Sequence, residues 1–167
     1  MEKLVKEIIL IAKLDASDID QPFEQINLEQ ILVPCVKKIL PVANEKKIEI
    51  QNNVEDIQIC VNKRLFEKAL SNVILNAVQY SPAGEKVIIK LEKKCLQVIN
   101  TGVHIENMED IFQPFFRVEK SRNKSTGGTG LGLYIVKMIL DLHHIYYKIE
   151  NISEGVMFKM VLDKKSP

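Results

Sequence analysis

A glycine-rich loop that opens directly onto a helix is the strongest chemical signal in this chain. Residues 126–133 read T-G-G-T-G-L-G-L and hold four of the seven glycines. Because glycine has no Cβ, the backbone there can approach a ligand closely. A loop that begins a helix also points unpaired N–H groups and the positive end of the helix dipole outward. These features predict a phosphate-binding loop, and the alternative is a flexible hinge before a buried helix.

The loop differs from the two commonest nucleotide-binding sequences. It does not read G-x-x-x-x-G-K-[ST], and the G-x-G-x-x-G spacing of dinucleotide-binding folds is absent. Both of these classes of nucleotide-binding loop are therefore excluded.

Two asparagines lie one helical turn apart in the apolar stripe of the predicted helix 63–80. Asn72 and Asn76 therefore share one helix face. An amide among apolar side chains is costly unless it is hydrogen-bonded, so the pair suggests a polar ligand. The carbonyl oxygen of Asn76 suits phosphate-bound Mg²⁺, which takes one or two protein oxygens plus waters. The alternative, two asparagines on the exposed back of the helix, conflicts with their apolar neighbours.

A third asparagine, Asn100, ends a predicted strand, and Gly102 follows it in the triplet N-T-G. A side-chain amide can accept from and donate to an adenine edge at the same time. The alternative is an ordinary turn, which N-x-G signals equally well.

Residues 101–130 lose periodicity apart from a short turn near residues 108–112. A loop of about 30 residues inside a compact domain is usually a functional lid. F-Q-P-F-F-R at 112–117 gives this lid a hydrophobic anchor. Four cations follow, and they either grip phosphates or form a solvated basic face: Arg117, Lys120, Arg122 and Lys124. Base-stacking aromatics are not interleaved with these charges, which argues against a nucleic-acid partner.

Helices and hairpins alternate around these residues. We predict helices at 1–16, 28–45, 63–80 and after the glycine loop, and strands at 23–28, 47–51, 57–61, 86–91, 96–100, 145–149 and 156–162. This order favours an α+β sandwich, a mixed sheet with helices on one face, over a doubly wound parallel sheet. Two prolines, Pro34 and Pro41, are expected to limit or kink the second helix.

The first helix has an apolar stripe of Leu4, Ile8 and Ile11, which is widened by Val5, Ile9 and Ala12. It is either the end of something longer that packs elsewhere or an ordinary N-terminal docking helix.

Composition limits the class of protein. The 167 residues are 46% hydrophobic and 27% charged, as in one compact globular domain. The formal net charge of +1 gives no global attraction to nucleic acid or membrane. We find no signal peptide and no apolar run of about 18 residues. Three isolated cysteines, Cys35, Cys60 and Cys95, indicate thiols in a reducing compartment rather than a disulfide framework or metal site.

Together these segments resemble the catalytic, ATP-binding domain of sensor histidine kinases, a branch of the Bergerat-fold superfamily of gyrase, mismatch-repair and chaperone ATPases. The resemblance covers about residues 23–162 and places four motifs in the family's order: the N-box at 65–81, the first glycine box N-T-G-V-H-I at 100–105, the F-box at 112–117 and the second glycine box at 128–133. It implies a two-layer α/β sandwich, a mainly antiparallel mixed sheet with helices on one face and a long ATP lid.

The resemblance also implies a site for ATP and Mg²⁺. Asn76 would bind Mg²⁺, Asn72 would lie beside the γ-phosphate, and Arg117 would reach the phosphates from the lid. These three are the implied catalytic residues. The other implied nucleotide contacts are Gln79, Tyr80, Asn100, Gly102, Ile105, Phe112, Lys120, Thr126, Gly127, Gly128, Thr129, Gly130, Leu131, Gly132 and Leu133.

Three positions depart from the family pattern. Asn100 replaces the adenine-reading aspartate, so the acceptor is neutral and a lower adenine affinity is expected. His104 replaces the second glycine of its box. Gln79 stands where many members have a phosphate-binding lysine, so a cation must come from the lid. The motifs N-T-G-x-H-I, F-R-V-E-K-S-R and T-G-G-T-G-L-G-L are similar to those of vancomycin-resistance sensor kinases of Gram-positive bacteria.

None of the three histidines lies in the H-box context that carries the phosphorylated histidine in this family. The resemblance therefore implies a fragment: residues 1–20 end a dimerisation helix and linker, and residues 21–167 form the catalytic domain. It would transfer the γ-phosphoryl group of ATP to a histidine on a dimerisation domain outside this chain, and alone it would not phosphorylate itself. The implied full-length protein is a membrane-anchored homodimer with a cytoplasmic catalytic domain and a response-regulator partner.

Two other functions fit the same motifs. Anti-sigma-type serine kinases share the fold and the motifs, but the apolar first helix and the F-box favour a sensor kinase. Alternatively, the changes at Asn100 and Gln79 leave a nucleotide-sensing or docking module without phosphoryl transfer.

Overall fold

The computed structural model describes residues 2–16, 22–116 and 128–162. The helices of this part of the chain are α1 (Glu2–Asp15), α2 (Leu28–Glu45), α3 (Lys63–Tyr80) and α4 (Gly132–Leu142). Its strands are β1 (Glu24–Asn27), β2 (Glu49–Asn53), β3 (Gln58–Val61), β4 (Lys86–Glu92), β5 (Cys95–Thr101), β6 (Tyr146–Ile152) and β7 (Gly155–Val161).

The main sheet has five strands in the order β2-β4-β5-β7-β6. Only β2 and β4 pair in parallel, and the other neighbours pair antiparallel. Strands β1 and β3 form a separate antiparallel pair. This mixed, mainly antiparallel sheet with its covering helices confirms the predicted α+β sandwich.

The core lies between α3 and the central strands. Phe66, Leu70 and Ile74 of α3 are fully buried, as are Leu96 of β5 and Ile89 of β4. Burying a side chain of this size stabilises the fold by roughly 1.5–3 kcal/mol. Because the stripe of α3 is fixed against the sheet, the position of its polar residues is fixed as well.

Asparagines begin two of the helices. Asn27 accepts a hydrogen bond from the Glu29 amide at 2.8 Å, and Asn62 accepts one from the Leu65 amide at 3.1 Å. Such caps satisfy amide groups that the first turn leaves unpaired. The start of α4 differs, because Leu131 stands at the N-cap position and makes no side-chain hydrogen bond.

Helix α2 runs unbroken through both of its prolines, so Pro34 and Pro41 do not limit it. Its buried face includes Ile31, Leu32 and Ile39, and this packing outweighs the lost backbone hydrogen bonds.

The apolar stripe of α1 is only partly buried: Leu4 and Ile11 pack against the core, and the other side of the stripe faces outward. Val5, Ile8 and Ile9 are 53%, 49% and 52% exposed, whereas Glu7 and Leu14 are buried. Helix α1 lies against α4, and this contact turns Glu7 inward. The apolar periodicity predicted the helix itself. It did not predict which side of the helix is buried, because the buried side carries the Glu7 carboxylate with its polar partner Thr129.

No helix within the three described ranges is both long enough and apolar enough to cross a membrane.

Candidate nucleotide-binding site

A cavity of about 230 Å³ lies between α3, the start of α4 and the strands β5, β6 and β7. One part of its lining is polar, with asparagines and glycine-loop residues. The other part is apolar and is formed mainly by Val98, Ile111, Ile149, Val156 and Phe158. A cavity with convergent polar groups beside an apolar wall is the usual form of a small-molecule site.

Helix α3 contributes two amides to the polar part. The Nδ2 atom of Asn72 donates to the carbonyl oxygen of Gly132 at 3.1 Å. The side chain of Asn76 is half-buried and has no hydrogen-bond partner among the described residues. One amide therefore holds the glycine loop, and the other remains available to a ligand.

The glycine loop follows the edge of this cavity closely. A Cβ on Gly132 would lie 3.8 Å from the Nδ2 atom of Asn76, at ordinary contact distance inside the cavity. Gly130 has a φ of +77°, and a Cβ there would lie 2.8 Å from the Cα atom of Phe115. The Phe115 amide donates to the Gly130 carbonyl at 3.0 Å. Gly130 therefore ties the loop to the F-box segment, and Gly132 leaves space beside the asparagines.

The first turn of α4 faces the same space without a side-chain cap. The first amide of α4 that bonds within the helix is that of Ile135, which donates to Leu131 at 2.9 Å. The Leu131 amide donates to Oγ1 of Thr129 at 3.3 Å, whereas the next three amides, those of residues 132–134, have no acceptor among the described residues. Such unpaired N–H groups favour an anion at a helix N-terminus.

Among the described residues, Asn100 is the buried polar residue that lies in the apolar part of the cavity. It is 7% exposed on β5, directly between Val87 of β4 and Val156 of β7. Its side-chain amide has no hydrogen-bond partner in the part of the chain that the structure describes. A buried, unpaired amide costs about 1–3 kcal/mol. Its presence in the cavity lining points to a ligand that completes its hydrogen bonds.

Helix α1 adds a carboxylate that sequence reasoning missed. Oε2 of Glu7 accepts a hydrogen bond from Oγ1 of Thr129 at 2.5 Å, and Nζ of Lys68 lies 4.0 Å from Oε1. Glu7 is 4% exposed and lines the cavity together with Lys3. The only sequence signal for this buried carboxylate was the position of Glu7 on the same helix face as Leu4 and Leu14.

Lys46 fixes the end of α3 that carries Gln79 and Tyr80. Its Nζ donates to the carbonyl oxygens of Val78 at 2.9 Å, Gln79 at 2.5 Å and Ser81 at 3.1 Å. Burial lowers the pKa of this ammonium. All three donors of Lys46 serve the end of α3, which therefore holds a defined position at the cavity.

Most described residues that the sequence assigned to the site line this cavity. They are Asn72, Asn76, Gln79, Tyr80, Asn100, Ile105, Gly128, Thr129, Gly130, Gly132 and Leu133.

Three other predicted residues are placed differently. Leu131 is 1% exposed in the core, and Phe112 packs against the rings of Tyr147 and Phe158. Gly102 lies against the side chain of Glu85, because a Cβ at residue 102 would be only 2.7 Å from the Cδ atom of Glu85.

Four predicted residues lie outside the described ranges, so the structure says nothing of them: Arg117, Lys120, Thr126 and Gly127. Within the described ranges, no cluster of three or more histidine, cysteine or acidic residues forms a metal site. The amide oxygen of Asn76 nevertheless fits an ion that takes one protein ligand and completes its shell with phosphate and water.

Residues 60–166 match the family of histidine kinase-, DNA gyrase B- and HSP90-like ATPases, and the chain belongs to this family. Over 171 aligned residues it is 34% identical to the sensor protein VanSB of Enterococcus faecalis. That alignment covers 98% of this chain and 38% of VanSB. The chain thus spans well under half the length of this relative.

Solved structures agree with this assignment. The histidine kinase AdeS of Acinetobacter baumannii superposes with a TM-score of 0.76 over 98% of this chain and 79% of that one, and its 19% identity shows the fold alone. The catalytic domain of the histidine kinase ThkA gives a TM-score of 0.71 at 25% identity, over 84% of this chain and 94% of that one. The comparisons confirm the predicted sensor histidine kinase catalytic domain, and the match to VanSB agrees with the predicted similarity to vancomycin-resistance sensor kinases.

Proposed function

We propose that this chain binds Mg·ATP in the cavity and transfers the γ-phosphoryl group to a histidine of a dimerisation domain. The arrangement of Asn76 opposite the uncapped start of α4, across Gly132, carries this proposal. It combines a free amide oxygen, unpaired amide N–H groups and a backbone without a Cβ in one place. A triphosphate with its bound cation needs these three features together.

The polar and apolar parts of the cavity would bind different parts of the nucleotide. The phosphates belong beside Asn72, Asn76 and α4, and the base belongs against the apolar wall with Asn100. Mg²⁺ bound at Asn76 would neutralise phosphate charge. The protein's own contribution is to position the phosphates in line with the acceptor, as in other phosphoryl transfers.

Phosphoryl transfer would break the bond between the γ-phosphorus and the bridging oxygen and release ADP. A new bond would join this phosphorus to an imidazole nitrogen of the acceptor. A cation reaching the phosphates from the lid, for which Arg117 and Lys120 are the candidates, would stabilise the developing charge.

We also propose that residues 1–20 end a helix and linker of the dimerisation domain and that residues 21–167 form the catalytic domain. The outer face of α1 supports this division, because Val5, Ile8 and Ile9 are about half exposed. Such a face suits continued packing against further helix. The full-length protein would be a membrane-anchored homodimer that phosphorylates a response regulator, and its similarity to VanSB suggests a role in antibiotic resistance.

A phosphotransfer assay tests this function. The chain is mixed with a separately purified dimerisation domain of the same kinase and ATP labelled at the γ-phosphate. We expect acid-labile label on the dimerisation domain, no label on this chain alone and loss of transfer in Asn76→Ala. Asn53→Ala, an exposed asparagine on β2, is the matched control. Acid-stable label on a serine of a partner, or label on this chain alone, would contradict the proposal.

A further inference from the structure

We propose that the cavity accepts 6-oxopurine nucleotides, such as GTP and ITP, as well as ATP, because Asn100 reads the base with a neutral amide. This inference rests on the proposed function, since it concerns the nucleotide bound at that site.

The location of Asn100 supports a role at the base rather than at the phosphates. It shares its strand face with Val98, which also lines the cavity, and its cross-strand neighbours are Val87 and Val156. A flat heterocycle can cover such an apolar wall, whereas a triphosphate would lose its hydration there. The asparagines of α3 and the start of α4 already provide the polar environment that phosphates require.

The other buried polar side chain of the cavity wall does not compete for this role. Glu7 is engaged with Thr129 and lies near Lys68. His104 also lines the cavity but is exposed. Among the described residues of the wall, Asn100 is therefore the buried polar side chain that has no protein partner.

The chemistry of an amide differs from that of a carboxylate at this position. An ionised carboxylate only accepts hydrogen bonds, so it favours the 6-amino group of adenine and repels a 6-oxo group. An amide carries an acceptor and a donor. Its oxygen can accept from the adenine N6 amino group while its NH₂ donates to N1. After a half-turn its NH₂ can donate to O6 of guanine or hypoxanthine while its oxygen accepts from N1–H.

Nothing in the described protein holds the Asn100 amide in one of these two orientations. In either orientation the Asn100 amide pairs both its oxygen and its NH₂ with the edge of the purine, so neither of these two groups is left unpaired. Discrimination against the wrong base comes mainly from such unpaired groups, roughly tenfold or more for each. The amide therefore removes the discrimination that a carboxylate would provide.

Calorimetric titration of the whole chain with non-hydrolysable analogues of ATP, GTP and ITP, each with Mg²⁺, tests this inference. We expect the three dissociation constants to agree within about tenfold. ITP lacks the 2-amino group of GTP, so it reports on the 6-oxo group alone. In Asn100→Asp, the preference for ATP over ITP should rise to roughly a hundredfold, because the carboxylate repels O6. Asn100→Ala should weaken ATP and ITP to the same extent.

Circular dichroism would reveal whether Asn100→Asp, placed between Val87 and Val156, fails to fold. Even in that case, the dissociation constants of the wild-type chain test the inference. ATP binding with ITP and GTP at least a hundredfold weaker would overturn this inference and leave the proposed function intact. If no nucleotide binds, the proposed function and this inference fail together.

Discussion

Asn72 of α3 and Gly132 of α4 are joined by a hydrogen bond from the Nδ2 atom to the carbonyl oxygen, 3.1 Å long. This bond holds the first turn of α4 beside the face of α3 that also carries Asn76. A Cβ on Gly132 would lie 3.9 Å from the Oδ1 atom of Asn76, so the backbone leaves space where the asparagines face the loop. Two helices from distant parts of the sequence thus form one wall of the cavity.

Gly132→Ala should therefore separate binding from stability. Alanine forms helix better than glycine by about 1 kcal/mol, and the added methyl meets the asparagines at ordinary contact distance, so the fold should keep its stability. The methyl occupies ligand space, and nucleotide affinity should fall at least about tenfold. Urea unfolding and calorimetric titration of the same samples measure the two effects.

Gly84→Ala is the control for this variant. Gly84 has a φ of +88° and open space around its Cβ direction, so alanine there is strained without touching the cavity. We expect a stability loss of about 1 kcal/mol and unchanged affinity. Equal affinity losses in both variants would show that stability, and not space in the cavity, controls binding.

Lys46→Met should destabilise the fold by about 2 kcal/mol, because three carbonyl groups at the end of α3 lose a charged donor. Lys37→Met removes the same charge from an exposed position of α2 and should change stability little. Urea unfolding of both variants measures the difference. Similar midpoints for the two would show that Lys46 does not stabilise the end of α3.

His143 should make the stability of the fold depend on pH. Its Nε2 accepts from the Asn62 amide at 3.0 Å, and its Nδ1 lies 2.7 Å from the Ile139 carbonyl, to which it donates. Burial lowers the pKa of His143 below its ordinary value of 6.5. The unfolded chain therefore takes up the proton first as the pH falls. The stability contributed by the neutral ring is complete above about pH 6.5 and is lost below it.

Urea unfolding at about pH 7.5 and about pH 5.5 measures this effect. The loss between the two should be smaller in His143→Gln than in the wild-type chain. His104→Gln, which changes an exposed histidine outside this contact, should behave like the wild type. An equal pH dependence in His143→Gln and the wild type would exclude His143 as the responsible group.

Glu7→Gln should tighten Mg-nucleotide binding. The Glu7 carboxylate accepts from Thr129 at the glycine loop, so it places a negative charge beside the proposed phosphate site. Glutamine keeps an acceptor for Thr129 and removes the charge, and we expect a gain of about threefold to tenfold. Glu2→Gln makes the same charge change at an exposed position of α1. A gain of equal size in Glu2→Gln would mean that net charge, not the position of Glu7, causes the effect.

The helix α3 and its asparagines could be predicted from the sequence because the determining signals are local. An N-cap asparagine, an apolar stripe and S-P-A-G after the last turn set the predicted bounds of 63–80, which the structure reproduces. The inward position of Asn72 and Asn76 followed from the same stripe. The pairing of β4 with β5 across Lys93 and Lys94 followed similarly from two strands around a turn.

What the sequence did not reveal depends on contacts between distant segments. The buried side of α1 is set by α4 and by Thr129, which lies 122 positions from Glu7 in the chain. Phe112 packs with Tyr147 and Phe158 rather than lining the cavity, because the two aromatic strand residues meet it only after the sheet has formed. Lys46 likewise reaches carbonyl groups more than 30 positions away. No periodicity in the sequence encodes these partners.

Calorimetric titration with a non-hydrolysable ATP analogue, with and without Mg²⁺, tests the proposed site most directly. We predict Mg²⁺-dependent binding of one nucleotide per chain, at least about tenfold weaker in Asn76→Ala and unchanged in the exposed control Asn53→Ala. Absence of binding at millimolar nucleotide, or equal affinity in Asn76→Ala and the wild-type chain, would contradict the assignment of this cavity as the Mg·ATP site.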